Sequence, residues 1–276
     1  MRPRTRSRET ARQTGGVTAA ERSGLFSRDD VAWRLHSSVA MLPAGLRALL
    51  LQVWHPSIAA AVAHHSNVAD DPWGRLEATT QFIDSVTYRS RDRALAAIER
   101  VRTVHDGITG ETSGGVEYAA NNPALLAYVH ATLVDSALRA AAVYGPRLSD
   151  VERDRYVEEM ANVAELLGVP DPPRNAECVS RFVDEARDVA PTREGRDLAW
   201  LLLLPPMPLW LRPTYGLLTL GAVDLLPRRC AVDLGLLPVW QPVRPFVRSA
   251  TGTLLTAVNL VSRSPLASDI WSRVLG

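Results

Sequence analysis

The 276-residue sequence predicts an all-α fold, and three observations carry that prediction. Apolar residues recur at three- and four-residue steps through most of the chain, the spacing that lines one helical face. Proline, asparagine, serine and glycine punctuate those runs where helices should start and stop. Alternating apolar–polar segments are scarce, and the chain has no internal repeat. A hydrophobic content of 46% against 22% charged residues describes a globular chain with a substantial core.

The elements follow in order. The opening "MRPRTRSRETARQTGG" is basic and lacks the apolar stretch of a signal peptide. Residues 1–28 are read as a disordered basic arm, and 29–276 as one helical domain with a proline-rich helical C-terminal cap. "LPAGLRALLLQVW", 42–54, predicts a helix that stops near His55, because a residue before proline disfavours the α region. "SIAAAVAHHS" starts the next helix on Pro56. "DDPWGRLEATTQFIDSVTY" places Leu76, Thr79, Ile83 and Val86 on one stripe, with Asp70 and Asp71 as capping residues.

"LAAIERVRTVHDGITG", 95–110, reads as an amphipathic helix between an Asp92 N-cap and a Gly110 stop. Its apolar stripe is Leu95, Ile98, Val101, Val104, His105 and Ile108. After the turn "GETSGG", Asn122-Pro123 opens a long helix reaching Tyr144. Ser149 with Glu152 forms a capping box for a helix that Gly168 ends. Residues 176–189 and 193–204 are helical as well. "LAWLLLLPPMPLWL" and "YGLLTLGAVDLLP" are each shorter than the roughly 20 apolar residues a bilayer span needs. They are read as buried helices under a lid, with an interfacial surface touching membrane as the minority alternative.

Composition excludes several function classes. A formal net charge of +1 gives no general attraction to nucleic acid. All 31 basic residues are arginine, so no lysine can form a Schiff base or act as general base. No phosphate-cradling glycine loop, dinucleotide fingerprint or nucleophile elbow is present. Cys178 and Cys230 lie far apart and read as structural, which fits a reducing, cytoplasmic location.

The six histidines are the candidates for chemistry. His36 reads as a surface residue, and His55 as a residue that caps a helix end or reaches a pocket. Of the adjacent His64 and His65, one should face solvent and the other pack; no zinc-protease spacing occurs. His105 and His130 both point inward, the latter on a face with Leu126, Val129, Leu133 and Ala137. An unpartnered buried imidazole costs roughly 1–3 kcal/mol. Either each bonds a backbone carbonyl or a carboxylate such as Asp135, or both serve one site. Arg75, Thr79, Phe82 and Val86 share another stripe, where arginine beside threonine can bind an anion, a carboxylate or an oxygen ligand. The plainer reading of Arg75 is a helix-terminal surface residue.

The segments "RALLLQVWHPSIAAAVAHHS", "DPWGRLEATTQF", "VRTVHDGITG", "PALLAYVHATLVDSAL" and "RDRYVEEMANVAELLGVP", followed by "LLLLPPMP", occur in that order over roughly residues 30–240. Together they resemble the catalytic domain of the rubber oxygenase (latex-clearing protein) and MpaB oxygenase family. The resemblance implies a globin-like helical core binding haem b, and cleavage of carbon–carbon double bonds in isoprenoid chains with dioxygen. It implies His105 as the iron ligand, with Val101 and Ile108 contacting the porphyrin and His130 near its edge. It also implies Arg75 and Thr79 as catalytic residues on the opposite side. Ala78 stands where the rubber-cleaving relatives have a lysine beside the threonine, which removes a candidate sixth ligand. The apolar stretch from Trp200 to Leu218 would then form a channel for a hydrophobic substrate. The alternatives are a non-catalytic helical binder of a hydrophobic ligand, a haem carrier or sensor with His105 and His130 both on iron, and a helical hydrolase or non-haem metal enzyme using His55, His64 and His130.

Overall fold

The computed structural model describes residues 24–66, 72–186 and 189–262, excluding the side chains of 72–73, 75–77 and 262. Most of the basic arm read over 1–28 lies outside the described residues, as do Asp70 and Asp71. Within them the chain folds into twelve α-helices and one two-stranded sheet, so the all-α class holds.

Helix α1 is Val31–His36, α2 Met41–Trp54 and α3 Pro56–His65. His55 sits between the last two with extended backbone, and Pro56 occupies the first turn of α3. This is the break expected ahead of a proline. Helix α4 spans Pro72–Tyr88 and α5 Arg91–Asp106. The N-cap of α5 is Ser90 and its C-cap Gly107, so Asp92 falls in the first turn and Gly110 outside the helix. An acid one turn into a helix complements the N-terminal dipole without capping it.

Gly110 instead belongs to strand β1, Thr109–Glu111, which pairs antiparallel with β2, Glu117–Ala119. The loop between them closes through the Thr112 hydroxyl, which accepts a hydrogen bond from the Val116 amide at 3.0 Å. Helix α6, Pro123–Tyr144, starts where expected, with the Asn122 side chain accepting from the Ala124 amide. Helix α7, Asp150–Leu167, carries the full capping box of Ser149 and Glu152 and ends on Gly168 at φ 100°. Replacing Ser149 with alanine should lower unfolding free energy by about 1 kcal/mol. Urea denaturation reads this directly, and an unchanged midpoint would show that the cap contributes nothing.

Helix α8 is Ala176–Asp184, five residues shorter than the run read from sequence, and α9 is Arg193–Leu203. Helices α10 (Arg212–Asp224), α11 (Arg228–Asp233) and α12 (Arg244–Ser262) complete the C-terminal third. No single described helix is long and apolar enough to cross a membrane; the bent pair α2–α3 passes by composition. Both of its helices are largely buried, as core helices would be.

The core forms around α2 and α6. Leu50, Leu51 and Trp54 meet Tyr128, Ala131 and Val134, and α7, α8 and α9 close over them. Gly195 lets α9 reach α2, since a Cβ there would lie 2.4 Å from the Val53 carbonyl oxygen. Between α2 and α6 lies a buried ion pair. Arg47 is fully enclosed, 2.7 Å from the Asp135 carboxylate, and also donates to the Ser136 hydroxyl and the Leu225 carbonyl. Arg139 makes a second ion pair with Asp135 at 2.9 Å from the partly exposed side. Glu159 of α7 accepts from the Val31 and Ala32 amides, satisfying two otherwise orphaned donors at the start of α1.

Helices α4 and α5 pack chiefly on each other, with α1 touching α4 and α7 touching α5. Only Ala94 and Ile98 of α5 are fully buried. The expected core stripe on this helix therefore stops after its second turn. Val101 and His105 are half-buried and Val104 is exposed.

Candidate functional site

The second half of the α5 stripe faces α4 across a cavity of about 300 Å3. Ala78, Phe82 and Ser85 line it from α4, and Val101, Val104 and His105 from α5. The spacing explains the arrangement. Residues 78, 82 and 85 on one helix and 101, 104 and 105 on the other are each one-face sets. Side chains along both faces are small or apolar, and Arg100 and Gln81 add polar groups to the lining. The volume lies at the low end of the range for small-molecule sites, which are mostly apolar with a few placed polar groups.

Of the residues singled out from sequence, His105 and Val101 meet in this cavity, together with Ala78. Thr79 is half-buried on the same helix as Ala78 but is not among the lining residues. Arg75 belongs to α4, and its side chain lies outside the described residues. Ile108 follows the helix rather than ending it, and its carbonyl accepts from the Ala120 amide at 2.9 Å. Gln81, Ser85 and Arg100 were not singled out; facing the α4 and α5 stripes against each other would have found them.

His130 is buried on α6, as its stripe predicted, but it does not line the α4–α5 cavity. Its Nε2 is enclosed without a hydrogen-bond partner. Asp135, the carboxylate suggested for it, is engaged by Arg47 and Arg139 instead. Burial pushes the His130 imidazole down to about 4, so it is neutral near neutral pH.

The remaining histidines correct the sequence reading. His36 is not a surface residue. Its Nδ1 lies 2.8 Å from the Thr87 hydroxyl and its Nε2 3.0 Å from the Tyr156 hydroxyl, and burial pushes it down to about 4. His64 and His65 are both exposed, because α3 buries Ser57, Ile58, Ala59 and Val62 instead. His64 Nδ1 is 3.2 Å from the Tyr118 hydroxyl, and His65 packs edge-on to the Tyr118 ring. His55 packs on Tyr128 with ring centroids 5.1 Å apart, and burial lowers its pKa. Among the described residues no group of three or more His, Cys, Asp or Glu is placed to hold a metal ion. That leaves the non-haem reading with His55, His64 and His130 without a ligand cluster there.

Two buried neutral histidines make stability depend on acid. The unfolded chain takes up these protons near pH 6.5, whereas folded His36 and His130 resist protonation until about pH 4. The unfolded state thus binds more protons between those values, and stability falls as pH drops through that window. For His130 the loss is on the order of 3 kcal/mol. Denaturant midpoints measured from pH 7 to pH 4 should fall, and less so in His130→Leu; a flat profile would refute buried neutral imidazoles.

A mostly helical fold with one imidazole in a largely apolar interhelical cavity has the form of a helical catalytic or binding domain. A family model described as "ER-bound oxygenase mpaB/B'/Rubber oxygenase, catalytic domain" matches residues 33–257. The chain belongs to this family of oxygenase catalytic domains. Among curated proteins and solved structures, nothing matches the chain.

Proposed function

We propose that the protein is a haem b-dependent oxygenase acting with dioxygen on a hydrophobic, unsaturated or isoprenoid-like substrate, with haem in the α4–α5 cavity. The observation that supports this most is the lining itself. His105 enters beside Val101 and Val104, and the facing helix presents Ala78 and Phe82. These residues suit the group: one imidazole as donor to iron, apolar walls for the porphyrin, and the Arg100 guanidinium for a propionate. When bound, haem supplies the redox chemistry for reaction with dioxygen.

The chain's own residues do the rest. His105 would hold the group through one ring nitrogen, with the other oriented by its surroundings. Phe82 and Val101 keep water from the cavity walls. Ala78 leaves the α4 side open where a longer side chain would close it. Thr79 and Arg75 of the same helix, which do not line the cavity as described, would be the residues that the family resemblance assigns to dioxygen.

Haem-loaded protein should consume oxygen with an unsaturated isoprenoid substrate and release carbonyl products, recorded with an oxygen electrode and by mass spectrometry. Stoichiometric haem without substrate-dependent oxygen uptake would overturn the oxygenase reading in favour of a carrier or sensor. The six-coordinate version with His130 on iron has no support in the cavity lining. A cytoplasmic location is proposed from the sparse cysteines alone.

A further inference from the structure

The C-terminal third does not bury its apolar segments under a lid; Leu209 is 74% and Trp210 63% exposed. A second cavity, of about 300 Å3, lies instead between α6, the start of α7 and α8. It shares no lining residue with the His105 cavity.

The sequence opens this space. Asp135, Leu138, Arg139 and Ala142 line it from α6 at the spacing of one helical face. Gly145 ends α6, and Pro146 and Leu148 line the cavity on the way to Arg153 in the first turn of α7. Ala142 and, from α8, Ala176 leave room that longer side chains would fill.

The charges on this lining do not balance. The Asp135 carboxylate is buried and is met from the core by Arg47 at 2.7 Å. Arg139 donates to the same carboxylate through Nε, at 2.9 and 3.1 Å. Its Nη2 donates to the Ser180 hydroxyl at 2.8 Å and to Asp184 at 2.9 Å. Its Nη1 has no hydrogen-bond partner among the described residues. Arg153 reaches only Asp150 there, at 3.4 Å, and that side chain is 96% exposed, so the pair is weak. Neither Asp184 nor Asp150 lines the cavity. Two guanidiniums with donors to spare thus face a space whose one carboxylate is already matched by Arg47.

Leu138, Pro146 and Leu148 set apolar wall beside these cations. A cationic ligand would be repelled by Arg139 and Arg153, and a bare inorganic anion would leave the apolar wall uncovered. An organic acid with a short apolar stem satisfies both, because guanidinium geometry matches a carboxylate and small-molecule sites combine apolar walls with a few placed polar groups.

We propose that the α6–α8 cavity binds a small organic carboxylate, its head on Arg139 and Arg153 and its stem against Leu138, Pro146 and Leu148. The site is separate from the His105 cavity, so this proposal stands without the haem reading.

Isothermal titration of the full chain with hexanoate near neutral pH, paired with thermal unfolding, tests it. One hexanoate per chain should bind and raise Tm, on the order of 5 °C at roughly a hundredfold excess over Kd. Hexan-1-ol and hexylamine should bind roughly tenfold more weakly or worse. Ala142→Leu, which fills the cavity, should lose hexanoate binding with unchanged circular dichroism. Arg153→Gln should weaken binding up to roughly fivefold, and His105→Ala should bind hexanoate as wild type does. Absence of saturable hexanoate binding overturns the proposal. Inorganic phosphate that binds as tightly as hexanoate overturns it in favour of a bare anion site. An Ala142→Leu variant that binds like wild type, or a His105→Ala variant that does not bind, places the carboxylate elsewhere and overturns it too.

Discussion

Asp135→Ala should be among the most destabilising single substitutions in the chain, costing about 3–5 kcal/mol. It strands the Arg47 guanidinium, fully enclosed between α2 and α6, with only the neutral Ser136 hydroxyl and Leu225 carbonyl as other acceptors. A loss of that size is a large share of the 5–15 kcal/mol by which domains are typically stable. Arg47→Met should cost clearly less, because Asp135 keeps its contact with Arg139 from the partly exposed side. Urea denaturation of the two variants gives the order. Equal costs, or an Asp135→Ala midpoint near wild type, would mean that the buried guanidinium finds another partner or water.

His105→Ala should abolish the absorption band of bound b-type haem while leaving helix content unchanged. Removal of an iron ligand should exceed the roughly 10–100-fold loss of metal affinity that follows from disturbing groups around one. Fold should survive because His105 is half-buried and lines a cavity rather than the core. His130→Leu is the matching control. It removes a buried nitrogen with no hydrogen-bond partner and should leave the band intact, at little or no cost in stability. Loss of the band in His130→Leu and its retention in His105→Ala would move the ligand to α6.

Local chemistry made most helix boundaries legible. The breaks at Pro56 and Asn122-Pro123, the Ser149–Glu152 box and the Gly168 stop each depend on residues within one turn, so sequence suffices. Ser90 was missed as the α5 N-cap because Asp92 is an equally good capping residue in the same turn. The β1–β2 pair was missed because three-residue strands show no period, and its closure combines backbone hydrogen bonds of Thr112 with Val116 and Gly115 and one threonine hydroxyl. Long-range packing was illegible in the same way. Nothing near His36 announces Tyr156, 120 residues away.

The candidate site was half legible. Stripe spacing found His105 and Val101, but it treated every apolar stripe as core. The structure divides the α5 stripe between a buried half at Ala94 and Ile98 and a cavity-facing half at Val101 and His105. Periodicity reports which residues share a face and not what covers it. The same gap explains Leu209 and Trp210, whose apolarity implied burial and which are exposed.

The central claim is that the α4–α5 cavity holds haem through His105. Titration of the purified full chain with haem, followed by absorption spectra of both redox states and a pyridine extract, tests it most directly. The account predicts saturation at one b-type haem per chain. A chain that takes up no stoichiometric haem would contradict it and leave His105 as a polar residue in an apolar cavity for another ligand.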